Sequence, residues 1–112
     1  MNRELRFTSE AQRNLKDLQA EPAKAAVPKQ VRKTLGLMEA NLQHPSLNNH
    51  KYDSISGPNG EEVFEAYAQN KTPGAYRVFF IHGPDRIERK KRIPVLTVIA
   101  ITRHPQLLRT MA

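Results

Sequence analysis

Residues 95–102 read Val-Leu-Thr-Val-Ile-Ala-Ile-Thr, a run that is almost wholly apolar and rich in β-branched side chains. Such a run fits a pleated sheet and favours burial on both faces, so it reads as a central strand. A central strand needs partners. Residues 63–69 and 76–82 supply two, paired through the Asn-Lys-Thr-Pro-Gly loop at 70–74. At the start of the chain Leu5 and Phe7 alternate with Glu4 and Arg6, the pattern of a short, half-buried edge strand.

Between these strands lie two amphipathic helices. Thr8 and Ser9 offer N-caps, and Ser9 with Gln12 fits a capping box. Ala11, Leu15 and Leu18 follow at helical spacing until Pro22 ends the segment. A second helix begins near Ala25, with Pro28 in its first turn, where no N–H bond is lost. Val27, Val31, Leu35, Met38 and Leu42 form one apolar stripe, read as core, and Lys29, Arg32 and Lys33 lie off it. His44-Pro45 stops the helix. The pair makes a helical hairpin that needs a sheet to pack on.

Residues 46–60 are polar, with Gly57-Pro58-Asn59-Gly60 a strong turn signal. Residues 83–94, which include Asp85-Arg86-Ile87-Glu88-Arg89-Lys90-Lys91-Arg92, read as a polar, basic, mobile loop. Pro105 can start a short C-terminal helix carrying Leu107, Leu108 and Met111. The order strand, helix, helix, three strands predicts a single α+β domain over residues 1–112. Its sheet is expected to be antiparallel, with the helices on one face.

The 112 residues carry a formal charge of +7, which points to a polyanion or an acidic protein as partner. There is no cysteine, so disulfides and thiolate metal sites are excluded. The first residues lack the apolar core of a signal peptide, and no apolar run reaches membrane-spanning length. A soluble cytoplasmic protein with no membrane partner is expected.

Arg77 lies inside the apolar strand Tyr76-Arg77-Val78-Phe79-Phe80, a costly position unless an anion compensates it. Strand alternation sets it on the face opposite Tyr76 and Val78. Its guanidinium fork can hold two phosphate oxygens, or pair with a carboxylate across the sheet. Glu65 is placed to be that carboxylate. A phosphate-binding surface with histidine nearby is the favoured reading.

Several features together resemble the RelE/ParE superfamily, the toxins of bacterial type II toxin–antitoxin pairs. They are the opening from Leu5 to Ala11 into a helical hairpin, the Pro45–Gly57 segment with its late Ser-Gly, Tyr76-Arg77 in the middle strand, and Arg103-His104 after the last strand. The likeness covers nearly the whole chain. It implies a RelE-like fold and a cognate antitoxin that wraps the protein. It further implies either ribosome-dependent mRNA cleavage or, as the alternative, inhibition of DNA gyrase; a catalytically inactive antitoxin-binding module is a third reading.

RelE-like cleavage needs no metal or cofactor, because the RNA's own 2′-OH attacks the neighbouring phosphate. By the resemblance, Arg77 is the phosphate-stabilising residue and His104 a general acid. The lysines of the best-known RelE pattern are replaced by Glu65 and Tyr67, which leaves Glu65 or His50 as base. His50, Lys51 and Arg103 are further RNA-contact candidates, and Tyr67 and Tyr76 are candidates for base stacking. The run from Arg86 to Arg92 is an unusually long, basic hairpin loop for the family, placed to track ribosomal RNA phosphates or to lie solvated. The antitoxin is expected to cover the basic concave face with an acidic or amphipathic segment, or to displace the helix at 106–112.

Overall fold

A computed structural model describes residues 2–70 and 74–103. The expected C-terminal helix and His104 lie outside the described residues, as does most of the loop that joins the two middle strands.

The elements run β1 (Glu4–Phe7), α1 (Ser9–Gln19), α2 (Ala26–Ala40), β2 (His50–Ser56), β3 (Glu62–Tyr67), β4 (Tyr76–His82), β5 (Arg86–Glu88), β6 (Lys91–Ile93) and β7 (Val95–Arg103). Five strands form one sheet in the order β1-β7-β4-β3-β2, and β5 with β6 forms a separate hairpin. The fold class is α+β, as expected, and β7 is an interior strand between β1 and β4.

The sheet is mixed, not antiparallel. β1 runs parallel to β7, with Glu4 opposite Val95 and Phe7 opposite Val98. A parallel pair needs a long crossover, and here both helices and five strands intervene between the partners.

β2 was not legible as a strand. It pairs antiparallel with β3 at the sheet edge, and its register shifts between Lys51 and Ser56. That irregularity places Tyr52 and Ile55, three residues apart, against one apolar cluster. A strict two-residue alternation therefore never arises in this segment. The basic segment is likewise structured, its two short strands joined by a two-residue turn at Arg89 and Lys90.

The helices cover one face of the sheet. Val27, Val31, Leu35, Met38 and Leu42 pack with Ala66, Val78, Phe80, Leu96, Val98 and Ile101. The expected stripe is thus core, although α2 itself stops at Ala40. The far face has its own cluster of Val63, Phe79, Ile81, Ile99 and Ala100. β7 faces both clusters by alternation, and an extra residue shifts its phase: Phe79 pairs with Ala100 and Phe80 with Val98, which leaves Ile99 as a bulge in the same cluster as Ala100.

The cap of α1 is Thr8, not Ser9. Thr8 Oγ1 accepts the Ala11 N–H at 3.1 Å and donates to the Ile99 carbonyl at 3.1 Å, which fastens the helix start to β7. Thr8→Ala loses both bonds. A stability loss of about 1–2 kcal/mol is expected, read from the urea midpoint at unchanged slope.

His82, at the end of β4, gives stability a pH dependence. Burial lowers its pKa from the ordinary imidazole value, the Arg3 charge adds to the effect, and Asp85 opposes it. Below about pH 6.5 the unfolded chain therefore binds more protons than the folded one, so stability falls as pH drops toward the folded value. Thermal midpoints should rise from about pH 5 to 7, and His82→Gln should flatten that rise.

Candidate functional site

Four of the sequence candidates meet at one end of β3 and β4, on the face away from the helices. Tyr67 lies opposite Arg77 across β3–β4, and His50 lies opposite Glu65 across β2–β3. Alternation then turns His50, Glu65, Tyr67 and Arg77 to the same side.

Glu65 is the hub. Its side chain is 2% exposed. Oε1 lies 2.8 Å from His50 Nε2, and Oε2 lies 3.7 Å from Arg77 Nε. The first contact is a hydrogen bond; the second is an ion pair beyond hydrogen-bond range.

Arg77 is held on several sides. Nη1 donates to the Gln69 carbonyl at 2.6 Å and to the Tyr76 carbonyl at 3.3 Å. The guanidinium carbon sits 3.6 Å from the Tyr67 ring centre, a close cation–π stack. Its side chain is 12% exposed. Arg77 Nε is buried and has no hydrogen-bond partner among the described residues. The orientation of the fork is therefore fixed by protein before any ligand arrives.

His50 is the exposed member of the group, at 43%. Its Nδ1 lies 2.6 Å from the Asn48 carbonyl. A carbonyl oxygen can only accept, so Nδ1 carries a proton. Nε2 then faces Oε1 of Glu65. Asn48 reaches this position in a left-handed conformation, φ 45°, just before β2 starts. The His50 and Tyr67 rings meet edge to face with centroids 5.8 Å apart.

The remaining candidates do not join this group. Tyr76 lies on the helix-covered side, where its hydroxyl bonds Lys24 Nζ at 3.1 Å. Arg103 pairs with Tyr76 in register, and its guanidinium lies 5.8 Å from that ring. Lys51 pairs with Phe64, which packs against the helix-side core, and its Nζ is 3.2 Å from Glu62 and 3.6 Å from Asp53;. Its hydrogen bond to Glu62 is the main cause of a raised ammonium pKa. Tyr67 does share the face, but one side of its ring carries Arg77. Sequence reasoning missed Gln69 and Asn48, whose carbonyls orient Arg77 and His50; only the turn-prone Asn48-Asn49 pair signalled either.

Among the described residues no group of three or more His, Cys, Asp or Glu side chains is placed to hold a metal ion. No helix among them is long and apolar enough to cross a membrane.

Two helices packed on a mixed five-stranded sheet give a YoeB-like fold. The chain is similar to a solved structure titled "The structure of YoeB dimer from Staphylococcus aureus", with a TM-score of 0.54 at 11% identity. The likeness spans 93% of this chain and 99% of that one. No family model matches the chain, and no curated protein matches it.

Proposed function

We propose that this protein is the toxin of a type II toxin–antitoxin system and a metal-independent, ribosome-dependent mRNA endoribonuclease. The observation that carries the reading is the preset Arg77, held between Glu65, Tyr67 and the Gln69 carbonyl beside the exposed His50. Three ionisable groups gathered this way cost stability, and a chemical role accounts for their retention. The YoeB-like fold supports the same class.

In this scheme the 2′-OH attacks the adjacent phosphate and the 5′-oxygen departs. Arg77 faces the phosphate and offsets the charge that builds on its oxygens. The reaction takes one proton from the 2′-OH and returns one to the leaving oxygen. His50, exposed and in contact with Glu65, serves one transfer, and His104 serves the other. Glu65 acts through its neighbours as a positioning residue, because it is too deep to touch RNA. Tyr67 holds Arg77 and offers RNA its ring edge. The protein acts in the cytoplasm, and an antitoxin silences it by covering this site.

Inducible expression in bacteria tests the class. Growth arrest with new mRNA 5′ ends inside translated regions, relieved by the adjacent antitoxin gene, is the expected result. Arrest with DNA-damage signalling and no new ends would instead assign a gyrase inhibitor. No arrest from confirmed soluble protein would leave an inactive antitoxin-binding module.

A further inference from the structure

The charge of this protein is not concentrated at the Arg77 site. At the other end of β4, a cleft of about 410 Å³ opens between the start of β1 and the root of the β5–β6 hairpin. Arg3, His82, Asp85 and Arg92 line it. Its one carboxylate is already committed: Asp85 accepts the Val95 N–H at 3.0 Å and the Arg92 Nε–H at 2.8 Å. The carboxylates beside the hairpin are committed too, since Arg86 binds both Glu4 and Glu88. Arg89, Lys90 and Lys91 form no ion pair among the described residues.

The hairpin tip is not built for stability. Arg89 and Lys90 occupy the turn with φ 50° and 68°. Two successive left-handed residues are a turn that favours Asn-Gly, because a side chain there is strained. The chain instead spends two strained positions on two cations. Next to them Ile87 is 67% exposed, the largest exposed apolar side chain of the described residues. Strain kept at a projecting tip points to a use for what the tip displays.

We propose that the β5–β6 hairpin and the cleft at its root form a second RNA-binding surface, which grips the phosphate backbone of a folded RNA away from Arg77. The cleft and Arg77 lie roughly 17 Å apart along β4, taking about 3.3 Å per strand residue, with His82 on the helix side beside Phe64 and Phe80 and Arg77 on the other face. A polyanion with regularly repeated charge can span such fixed cationic points; the nucleotide held at Arg77 cannot. A single exposed Ile87 offers too little apolar surface to seat an amphipathic acidic helix, which needs a row of anchors. The proposal adds a surface to the RNA reading and depends on binding, not on cleavage.

Fluorescence anisotropy of the full chain with a labelled RNA stem-loop, between 50 and 200 mM salt, tests it at roughly the range where phosphate contacts are most salt-sensitive. The double variant Arg89→Asn with Lys90→Gly removes the tip cations and relieves the strained turn. Its thermal midpoint should hold or rise, while affinity falls about tenfold and the log–log salt slope shrinks by about 1.4–1.8. Arg3→Gln, in the cleft, should shrink the slope by about 0.7–0.9. Unchanged affinity and slope in both variants would overturn the proposal. So would failure of the wild type to bind the stem-loop, or tighter binding of poly-glutamate than of RNA. Loss of binding in these variants with no cleavage by the wild type would uphold this surface and reject the nuclease reading.

Discussion

Arg77→Ala should lower the rate of mRNA cleavage on programmed ribosomes by about 10²–10³-fold, the usual cost of removing one preset donor from a developing charge. The size follows from how the residue is held. Its fork is anchored by two carbonyls and stacked on Tyr67, so little reorganisation remains to be done when the phosphate gains charge. Arg77→Lys keeps the charge but loses the planar fork and the stack. It should recover only part of the rate, because an ammonium is a compact point charge whose three donors do not present the planar pair that meets two phosphate oxygens side by side. Single-turnover rates read the effect, with circular dichroism melts confirming that both variants fold.

Glu65→Leu should cost about 3–5 kcal/mol, the largest stability loss expected of any single change at the site. The carboxylate is 2% exposed and faces His50 on one side and Arg77 on the other. Without it, Arg77 is left as a buried cation whose remaining partners are carbonyls and an aromatic ring. For a chain of this size the loss corresponds to a fall in melting temperature of more than about 12 °C. The double variant Glu65→Leu with Arg77→Met should regain most of that stability, since an apolar pair of similar volume removes both desolvation costs. It should have no cleavage activity. Recovery of the fold without recovery of function would show that the charges serve chemistry. If the double variant is no more stable than Glu65→Leu alone, the buried pair is itself a structural support and the argument from cost fails.

The parts of this molecule that could be read in the sequence are those where periodicity and burial agree. The stripe from Val27 to Met38 recurs at helical spacing because one face of α2 meets the sheet, and Leu42 joins the same core just past the helix end. Residues 95–102 are apolar but for Thr97 and Thr102 because β7 is interior to the sheet, with an apolar cluster on each face. β2 failed on both counts. It is an edge strand with an irregular register, so its polar residues carry no period. That one omission hid the contact between His50 and Glu65, though both residues were candidates and the Glu65–Arg77 pairing was legible. His50 and Glu65 are fifteen positions apart in the chain, and only the β2–β3 register brings them opposite each other. The same omission left Lys51 grouped with His50, although adjacent strand residues point to opposite faces. Tyr76 shows a different limit. Alternation had already set it opposite Arg77, and the structure holds it against Lys24 on the helix side. The parallel β1–β7 pair was out of reach because local sequence does not encode which edge a distant strand joins.

The most direct test of the central claim is the chemistry of the cut ends. Purified protein is incubated with ribosomes carrying a defined mRNA, and the products are resolved by end analysis. A 2′-OH attack leaves a 2′,3′-cyclic phosphate, or the 3′-phosphate it hydrolyses to, and a 5′-hydroxyl. The account expects those ends, their loss in Arg77→Ala, and no cutting where the scissile nucleotide lacks its 2′-OH. Products with a 5′-phosphate, cleavage of the 2′-deoxy message, or undiminished cutting by Arg77→Ala would contradict it.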